Sequence, residues 1–111
     1  MDNKNEQAVK EIKVAIIYYG SEKDRFNKEY FANDHIALVK RSWECHGLGS
    51  TVTLFPERDD QGTRAIAIST FRDEAAVRSC FDSPEGKEVM ADVIKYTDII
   101  PVHSGLTDLF R

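Results

Sequence analysis

The sequence predicts one small α+β domain whose strands and helices follow the order β-α-β-β-α-β. The chain length of 111 residues suits a single domain with one core. Four short segments rich in β-branched and aromatic residues are bounded by turn residues, and two longer segments have the apolar spacing of helices. With 41% apolar and 31% charged residues, the composition is that of a globular protein.

The domain is expected to span residues 12–111, after a flexible polar tail over residues 1–11. The first strand covers Lys13–Tyr19. Its alternation directs Val14, Ile16 and Tyr18 to one face and Ala15, Ile17 and Tyr19 to the other. Because both faces are apolar, we expect both to be buried.

The first helix is predicted to begin at a cap, either Asp24 or Asn27, and to run to about Glu44. His46 and Gly47 suit its end, because a cation complements the helix dipole there and glycine adopts the left-handed conformation.

A hairpin follows this helix. Its strands are predicted over residues 51–55 and 64–71, and a polar loop over 56–62 joins them. The second helix begins at Asp73 and is interrupted after Phe81, because Ser83 and Pro84 have the residue types that start a new helix. The fourth strand is expected over residues 99–106, where Pro101 favours an edge or bulged position.

This order is the ferredoxin-like plan, in which both helices cover one face of a four-stranded antiparallel sheet. The other face is left bare. On the third strand, either Ile66 and Ile68 or Ala65, Ala67 and Phe71 lie on that face. An exposed apolar face usually marks an interface, so we expect a homodimer that packs two bare faces together as a dimeric α+β barrel.

Charge and composition exclude several classes of protein. The net charge of −4 disfavours nucleic acid and anionic membranes as partners. An RRM-like module shares the topology, but the basic and aromatic pattern of such RNA-binding strands is absent. No apolar run is long enough to cross a membrane, and the first residues lack a leader pattern, so a cytoplasmic location is expected. Cys45 and Cys80 are expected to be buried, reduced thiols.

His35 is the most informative polar side chain, because it falls in the middle of the apolar arc of the first helix. Burial can keep a histidine neutral, which is the state that a general base needs near pH 7. The alternative is a core histidine satisfied by a backbone carbonyl or a tyrosine. Asp34 points about 100° away around the helix, so it is not a natural partner for the ring.

Other side chains could reach the same cavity. Asp92 and Tyr96 are four residues apart and share one side of the second helix. A carboxylate at a helix border is more often solvated, and the Tyr96 ring could be half-buried without any function. Tyr18 and Tyr19 direct one hydroxyl to each sheet face, where they could line a pocket or simply form part of the core.

Standard cofactor and hydrolase motifs are absent from the sequence, so no bound cofactor is expected. Four side chains could supply metal ligands, namely His35, Cys45, His46 and His103, but they lack the diagnostic spacing, so no metal site is expected.

Two segments resemble the EthD family. The first runs from Phe26 through Tyr30-Phe31-Ala-Asn-Asp-His35, and the second runs from Asp82-Ser-Pro-Glu-Gly-Lys87 to Ala91-Asp92 and Tyr96-Thr97-Asp98. The resemblance covers nearly the whole chain. It implies a dimeric α+β barrel related to small monooxygenases, cyclases and decarboxylases that often work without a bound cofactor. Members are associated with ether degradation and described as oxidoreductases, but the family has no settled reaction.

By this resemblance, His35 corresponds to the family histidine, Tyr30 and Phe31 to its aromatic pair, and Asp92 to its aspartate. We hypothesise an enzyme that binds a small apolar or aromatic compound, with His35 as general base or hydrogen-bond donor. The substrate-binding residues would be Tyr18, Tyr30, Phe31, Asp92 and Tyr96. The alternative is a non-catalytic binding or accessory protein that uses the same cavity for an apolar metabolite.

Overall fold

The computed structural model describes residues 11–58, 60 and 62–106, and it confirms the predicted order of elements. The four strands form one antiparallel sheet with the order β2-β3-β1-β4. Their bounds are Ile12–Tyr19 for β1, Leu48–Leu54 for β2, Thr63–Phe71 for β3 and Val102–Leu106 for β4. The predicted tail over residues 1–11 lies outside the described residues except for Glu11.

The first helix is less regular than predicted. It opens with a π-helical turn, Tyr30–His35, continues as the α-helix α1, Ile36–Trp43, and closes with a 3₁₀ turn, Glu44–His46. Asn27 caps it, since its Oδ1 accepts the backbone N–H of Tyr30 at 3.1 Å. At the other end Gly47 has a φ of +110°, the left-handed conformation expected of a glycine there.

Two strand boundaries differ from the prediction. Strand β2 begins three residues earlier, because Gly47 turns the chain directly into the sheet and Leu48 is buried opposite Phe71. Strand β4 begins only at Val102. Pro101 has no N–H to donate to the neighbouring strand, so the ladder starts after it.

The predicted interruption of the second helix is confirmed as two helices, α2 (Glu74–Asp82) and α3 (Pro84–Asp92), followed by a 3₁₀ turn, Val93–Lys95. Ser83 makes the break. Its hydroxyl donates to the carbonyl of Cys80 at 2.8 Å and accepts the N–H of Gly86 at 3.0 Å. The chain therefore turns sharply, which brings α3 against α1.

We predict that Gly86→Ala lowers the free energy of unfolding by about 1–3 kcal/mol, because the added methyl group overpacks the turn. A Cβ at Gly86 would lie 2.5 Å from the carbonyl oxygen of Cys80 and 2.8 Å from that of Phe81, both backbone atoms. Gly105→Ala is the matched control, since within the described residues no atom other than those of its chain neighbours lies within 4 Å of its Cβ position. Urea unfolding should separate the two variants, and equal stabilities would contradict the prediction.

The register resolves which side chains of β3 lie beneath the helices. Ala65, Ala67 and Phe71 are buried there, whereas Ile66 and Ile68 lie on the other side of the sheet. The bare face is lined by alternate residues of all four strands: Lys13, Ala15, Ile17, Ser50, Val52, Leu54, Ile66, Ile68, Thr70, Val102, Ser104 and Leu106. It is largely apolar, as the sequence predicted.

One of the two cysteines was placed wrongly by the sequence. Cys80 is buried, and burial raises the pKa of its thiol to about 11. Cys45 is exposed instead, because it lies in the 3₁₀ turn that projects beyond the end of α1. Among the described residues, no helix is long and apolar enough to cross a membrane.

Candidate active site

The π-helical turn positions His35. The backbone N–H of Ile36 donates to the carbonyls of Asn33 and Phe31, three and five residues earlier, and the bond to Phe31 widens the helix at this point. The imidazole is 5% exposed and stacks on the Phe31 ring, with centroids 6.0 Å apart and planes 17° apart. The Tyr96 ring lies 4.7 Å from it on another side. His35 is therefore held on the sheet side of the helix, as its sequence position predicted.

Asp92 is the hydrogen-bond partner of His35. Its Oδ2 lies 3.0 Å from Nδ1 of the imidazole, and its Oδ1 accepts the Tyr30 hydroxyl at 2.9 Å. The carboxylate is 6% exposed, with Lys95 Nζ 3.4 Å away at the rim. The expectation that the Asp92 carboxylate is solvated was wrong, because these donors satisfy it inside the protein. The partner of His35 is likewise a carboxylate, not a backbone carbonyl or a tyrosine.

The charges of this pair follow from burial and hydrogen bonding. Burial lowers the pKa of His35 below its ordinary value, and the bond to Asp92 offsets only part of that effect. Burial alone would raise the pKa of Asp92, but the hydrogen bonds from His35 and Tyr30 outweigh it and keep the carboxylate ionised. Nδ1 therefore carries the proton that Asp92 accepts, and Nε2 is left as a basic nitrogen. Nε2 makes no hydrogen bond within the described part of the chain.

Tyr18 and Tyr96 form a second buried pair. Their hydroxyl oxygens are 2.6 Å apart, and the two side chains are 2% and 0% exposed. Burial raises the pKa of Tyr18 to about 12 and raises that of Tyr96 as well, so both hydroxyls are protonated near neutral pH. The loop before the first helix holds Tyr96 in place, since the N–H of Asn27 donates to its carbonyl at 2.8 Å.

An internal cavity of about 30 Å³ lies between the sheet and the helices. Tyr18, Phe31 and His35 are the predicted site residues that line it. The rest of its wall is mostly apolar. Met90 and His103 have exposed side chains, so the cavity comes closest to solvent between α3 and β4.

The remaining predicted residues lie behind the cavity wall. Tyr30 and Asp92 line a separate outer groove of about 630 Å³ between α1 and α3, and Tyr96 is packed behind Tyr18. Asp92 thus connects the two sides of the helix layer, with Oδ2 on His35 and Oδ1 on Tyr30. A direct contact of Tyr30, Asp92 or Tyr96 with substrate stays a prediction.

Four further cavity-lining residues carry a side-chain nitrogen or oxygen atom and were not singled out from the sequence as ligand contacts: Trp43, Thr51, Ser69 and His103. Strand alternation was a usable signal for two of them. Thr51 and Ser69 lie opposite each other on β2 and β3, on the helix-covered face where small polar residues are unusual. Trp43 carried no such signal, because a tryptophan on an apolar helix face is ordinarily part of the core.

The histidines considered as metal ligands are dispersed. His46 lies 3.0 Å from the Ser79 hydroxyl and 3.3 Å from the Glu85 carboxylate at the surface, whereas the His103 ring packs against Phe81 with centroids 5.2 Å apart. Within the described residues, no three His, Cys, Asp or Glu side chains are grouped so that they could hold a metal ion.

The burial of His35 predicts a pH-dependent stability. Its pKa is lowered in the folded state, so below the ordinary value of 6.5 the unfolded chain takes up a proton that the folded chain does not. The free energy of unfolding should therefore be highest above pH 6.5 and fall as the pH drops below it. Urea unfolding between pH 5 and 8 measures this slope.

His35→Gln should reduce that slope. The ring of His103 is partly covered by Phe81, and this partial burial lowers its pKa as well, so His103→Gln is the comparison that divides the effect between the two histidines. A wild-type stability that is independent of pH, or a slope that survives in His35→Gln, would contradict the prediction.

No family model matches this chain, and no curated protein does. Solved structures do match. An EthD-like protein from Ralstonia eutropha has a TM-score of 0.78 at 20% identity, over 91% of this chain and 94% of that one. The chain has the fold of the EthD-like proteins. An EthD family protein from Bacillus halodurans matches with a TM-score of 0.65 at 15% identity, over 88% of this chain and 100% of that one.

The EthD-like fold is shared by an enzyme that needs no cofactor. SnoaB, a cofactor-independent oxygenase from Streptomyces nogalater, matches with a TM-score of 0.62 at 17% identity, over 91% of this chain and 95% of that one. At these identities the matches establish the fold but not the reaction, because the reaction depends on the residues of the site.

Proposed function

We propose that this protein is an enzyme that removes a proton from a carbon atom of a small apolar or aromatic compound, without a bound cofactor. The observation that carries the proposal is the state of His35. Its ring is buried and neutral, Nδ1 is fixed by Asp92, and Nε2 has no partner among the described residues and lies beside a mostly apolar cavity. A general base needs this state, a basic nitrogen within reach of a bound molecule.

The same geometry indicates how the proton would move. Nε2 takes the proton from carbon, and the ionised Asp92 stabilises the resulting imidazolium through Nδ1–H, 3.0 Å away. The Tyr18 hydroxyl, protonated and in the same cavity, donates to the oxygen on which negative charge develops. The electron-rich carbanion or enolate can then reduce O2 and become oxygenated, or it can attack a carbonyl carbon of the same molecule and close a ring. SnoaB is support for the oxygenation, since it is a cofactor-independent oxygenase on a similar fold.

A non-catalytic binding protein is the second candidate. The observation that favours it is the small size of the cavity, about 30 Å³ against the roughly 300–1,000 Å³ of most ligand sites. A protein that encloses an apolar metabolite without acting on it would need the same wall but no basic nitrogen. In either case residues of the wall would have to move to admit a ligand larger than this cavity.

Deuterium uptake separates the two candidates without knowledge of the natural substrate. The probe is 2-tetralone, an apolar aromatic ketone with acidic benzylic C–H bonds, followed by NMR in deuterated buffer at neutral pH. An enzyme of the proposed type should accelerate exchange at the benzylic carbon well above the buffer rate. Binding of the ketone without any acceleration would overturn the proposal and favour the binding protein.

We also propose that two chains associate through the bare face of the sheet. In the single chain Val52, Leu54, Val102 and Leu106 are 41–52% exposed on that face. An apolar surface of this kind is unfavourable in water, and a second copy supplies a matching one. Sedimentation should give twice the chain mass of 12.6 kDa, and a monomer at tens of micromolar would contradict the proposal.

A further inference from the structure

The wall of the cavity holds hydrogen-bond donors that have no acceptor within the described residues, here called surplus donors. The first surplus donor belongs to the tyrosine pair. Two hydroxyls carry two protons, yet Tyr18 and Tyr96 make only one hydrogen bond, to each other at 2.6 Å, within the described residues. Tyr18 lines the cavity and Tyr96 lies behind it. The arrangement that uses both protons is therefore Tyr96 donating to Tyr18, and Tyr18 donating to a bound molecule.

Two more surplus donors lie elsewhere in the wall. The hydroxyls of Thr51 and Ser69 are 3.0 Å apart and, within the described residues, make no other side-chain hydrogen bond, so one of their protons is also unused. Trp43 is 1% exposed, and its indole N–H has no acceptor in the described part of the chain. All three residues line the cavity. A buried donor without an acceptor is costly, which suggests that something absent from the single chain completes it.

The surplus donors lie at opposite ends of an apolar floor. Tyr18 pairs with Ala65 on β3, whereas Ser69 is four residues further along that strand, so their positions are separated by roughly 13 Å. Ile16 and Ala67 form the floor between them. The His35 end and the Trp43 end are thus two polar poles of one cavity.

We propose that the Trp43 end is a second binding subsite, which accepts a carbonyl oxygen of a substrate with two acceptor oxygens, that is, a dicarbonyl compound on an apolar frame. This inference rests on the proposed function only in taking the cavity beside His35 as the ligand site. One oxygen binds the Tyr18 hydroxyl beside the base, and the other binds the donors of Trp43, Thr51 and Ser69. A compound with a single oxygen leaves at least one pole unsatisfied.

The test uses trans-decalin-2,6-dione and trans-2-decalone, which differ by one carbonyl. The two oxygens of this dione are roughly 7–8 Å apart, which is the span that remains between poles roughly 13 Å apart after a hydrogen bond of about 2.8 Å at each end. Trp43 is the single tryptophan of the chain, so the indole N–H gives one unambiguous NMR resonance. Titration with the dione should move this resonance downfield, as expected when an N–H gains an acceptor. The dione should bind roughly two- to tenfold more tightly than the monoketone.

Two variants establish where the second oxygen binds. Trp43→Phe keeps an aromatic ring but loses the N–H, so the ratio of the dione affinity to the monoketone affinity should fall towards one. Ser69→Ala should reduce this ratio as well. The proposal is overturned if the two ketones bind equally to the wild type, if neither binds, or if the indole resonance does not respond to the dione. An indole N–H already bonded to an ordered water, and unchanged by the dione, is one such result.

The same titration of His35→Gln separates this subsite from the catalytic proposal. A dione preference that is retained in His35→Gln, in a protein that does not accelerate exchange of 2-tetralone, would support the subsite and refute the catalysis. Accelerated exchange by the wild type with no dione preference would support the catalysis and refute the subsite.

Discussion

His35→Gln should reduce the protein-catalysed deuterium uptake of 2-tetralone by a factor of about 10²–10⁴, the range typical for loss of a general base. Glutamine has a similar length and can still donate to Asp92, but it offers no basic nitrogen to the cavity. The loss should fall on the rate and not on binding, because the apolar wall formed by Phe31, Val39 and Ile16 is unchanged. Initial exchange rates at saturating and at low ketone concentration distinguish a loss of rate from a loss of binding.

His46→Gln is the matched control for this variant. His46 is a histidine of the same chain, but it lies at the end of the first helix with Ser79 and Glu85 as partners. Its replacement should leave the exchange rate unchanged. If His35→Gln exchanges as fast as the wild type, or if both variants lose activity together, His35 is not the base and the binding-protein candidate gains.

The elements of the fold were largely predictable, because each depends on neighbours in the sequence. The alternation of β1 and the Ser83-Pro84 helix restart are local signals, and the structure confirms both. The π-helical turn was not predictable in this way. It depends on the N–H of Ile36 donating to the carbonyls of Asn33 and Phe31 instead of to the carbonyl four residues earlier, and residue types do not encode that choice.

The site was predictable only in part, because its geometry depends on contacts between distant segments. The position of His35 on the apolar arc indicated that it faces the sheet. The burial of Asp92 did not follow from its own helix, since it results from donors supplied by Tyr30 and His35, which lie 62 and 57 residues earlier in the chain. Trp43 joins the cavity wall through the packing of α1 over β2 and β3, which a single segment cannot reveal.

Val52→Asp should dissociate the proposed dimer. Val52 is 52% exposed in the single chain, on an edge strand and within the bare face, so a carboxylate there costs the isolated chain little. In the dimer the same carboxylate would be buried against an apolar surface without a partner, and symmetry places two of them in the interface. Self-association should weaken by about 4 kcal/mol or more, roughly a thousandfold, as measured by sedimentation equilibrium.

Ile94→Asp provides the control on a different surface. Ile94 is 69% exposed in the 3₁₀ turn after α3, beside the exposed Met90 and Ile100, so it forms part of an apolar patch outside the sheet. The substitution adds the same charge but should leave the dimer intact. If Ile94→Asp yields monomers and Val52→Asp does not, the chains associate through this patch and the bare sheet face needs another partner. If both variants remain dimeric with unchanged affinity, neither surface forms the interface.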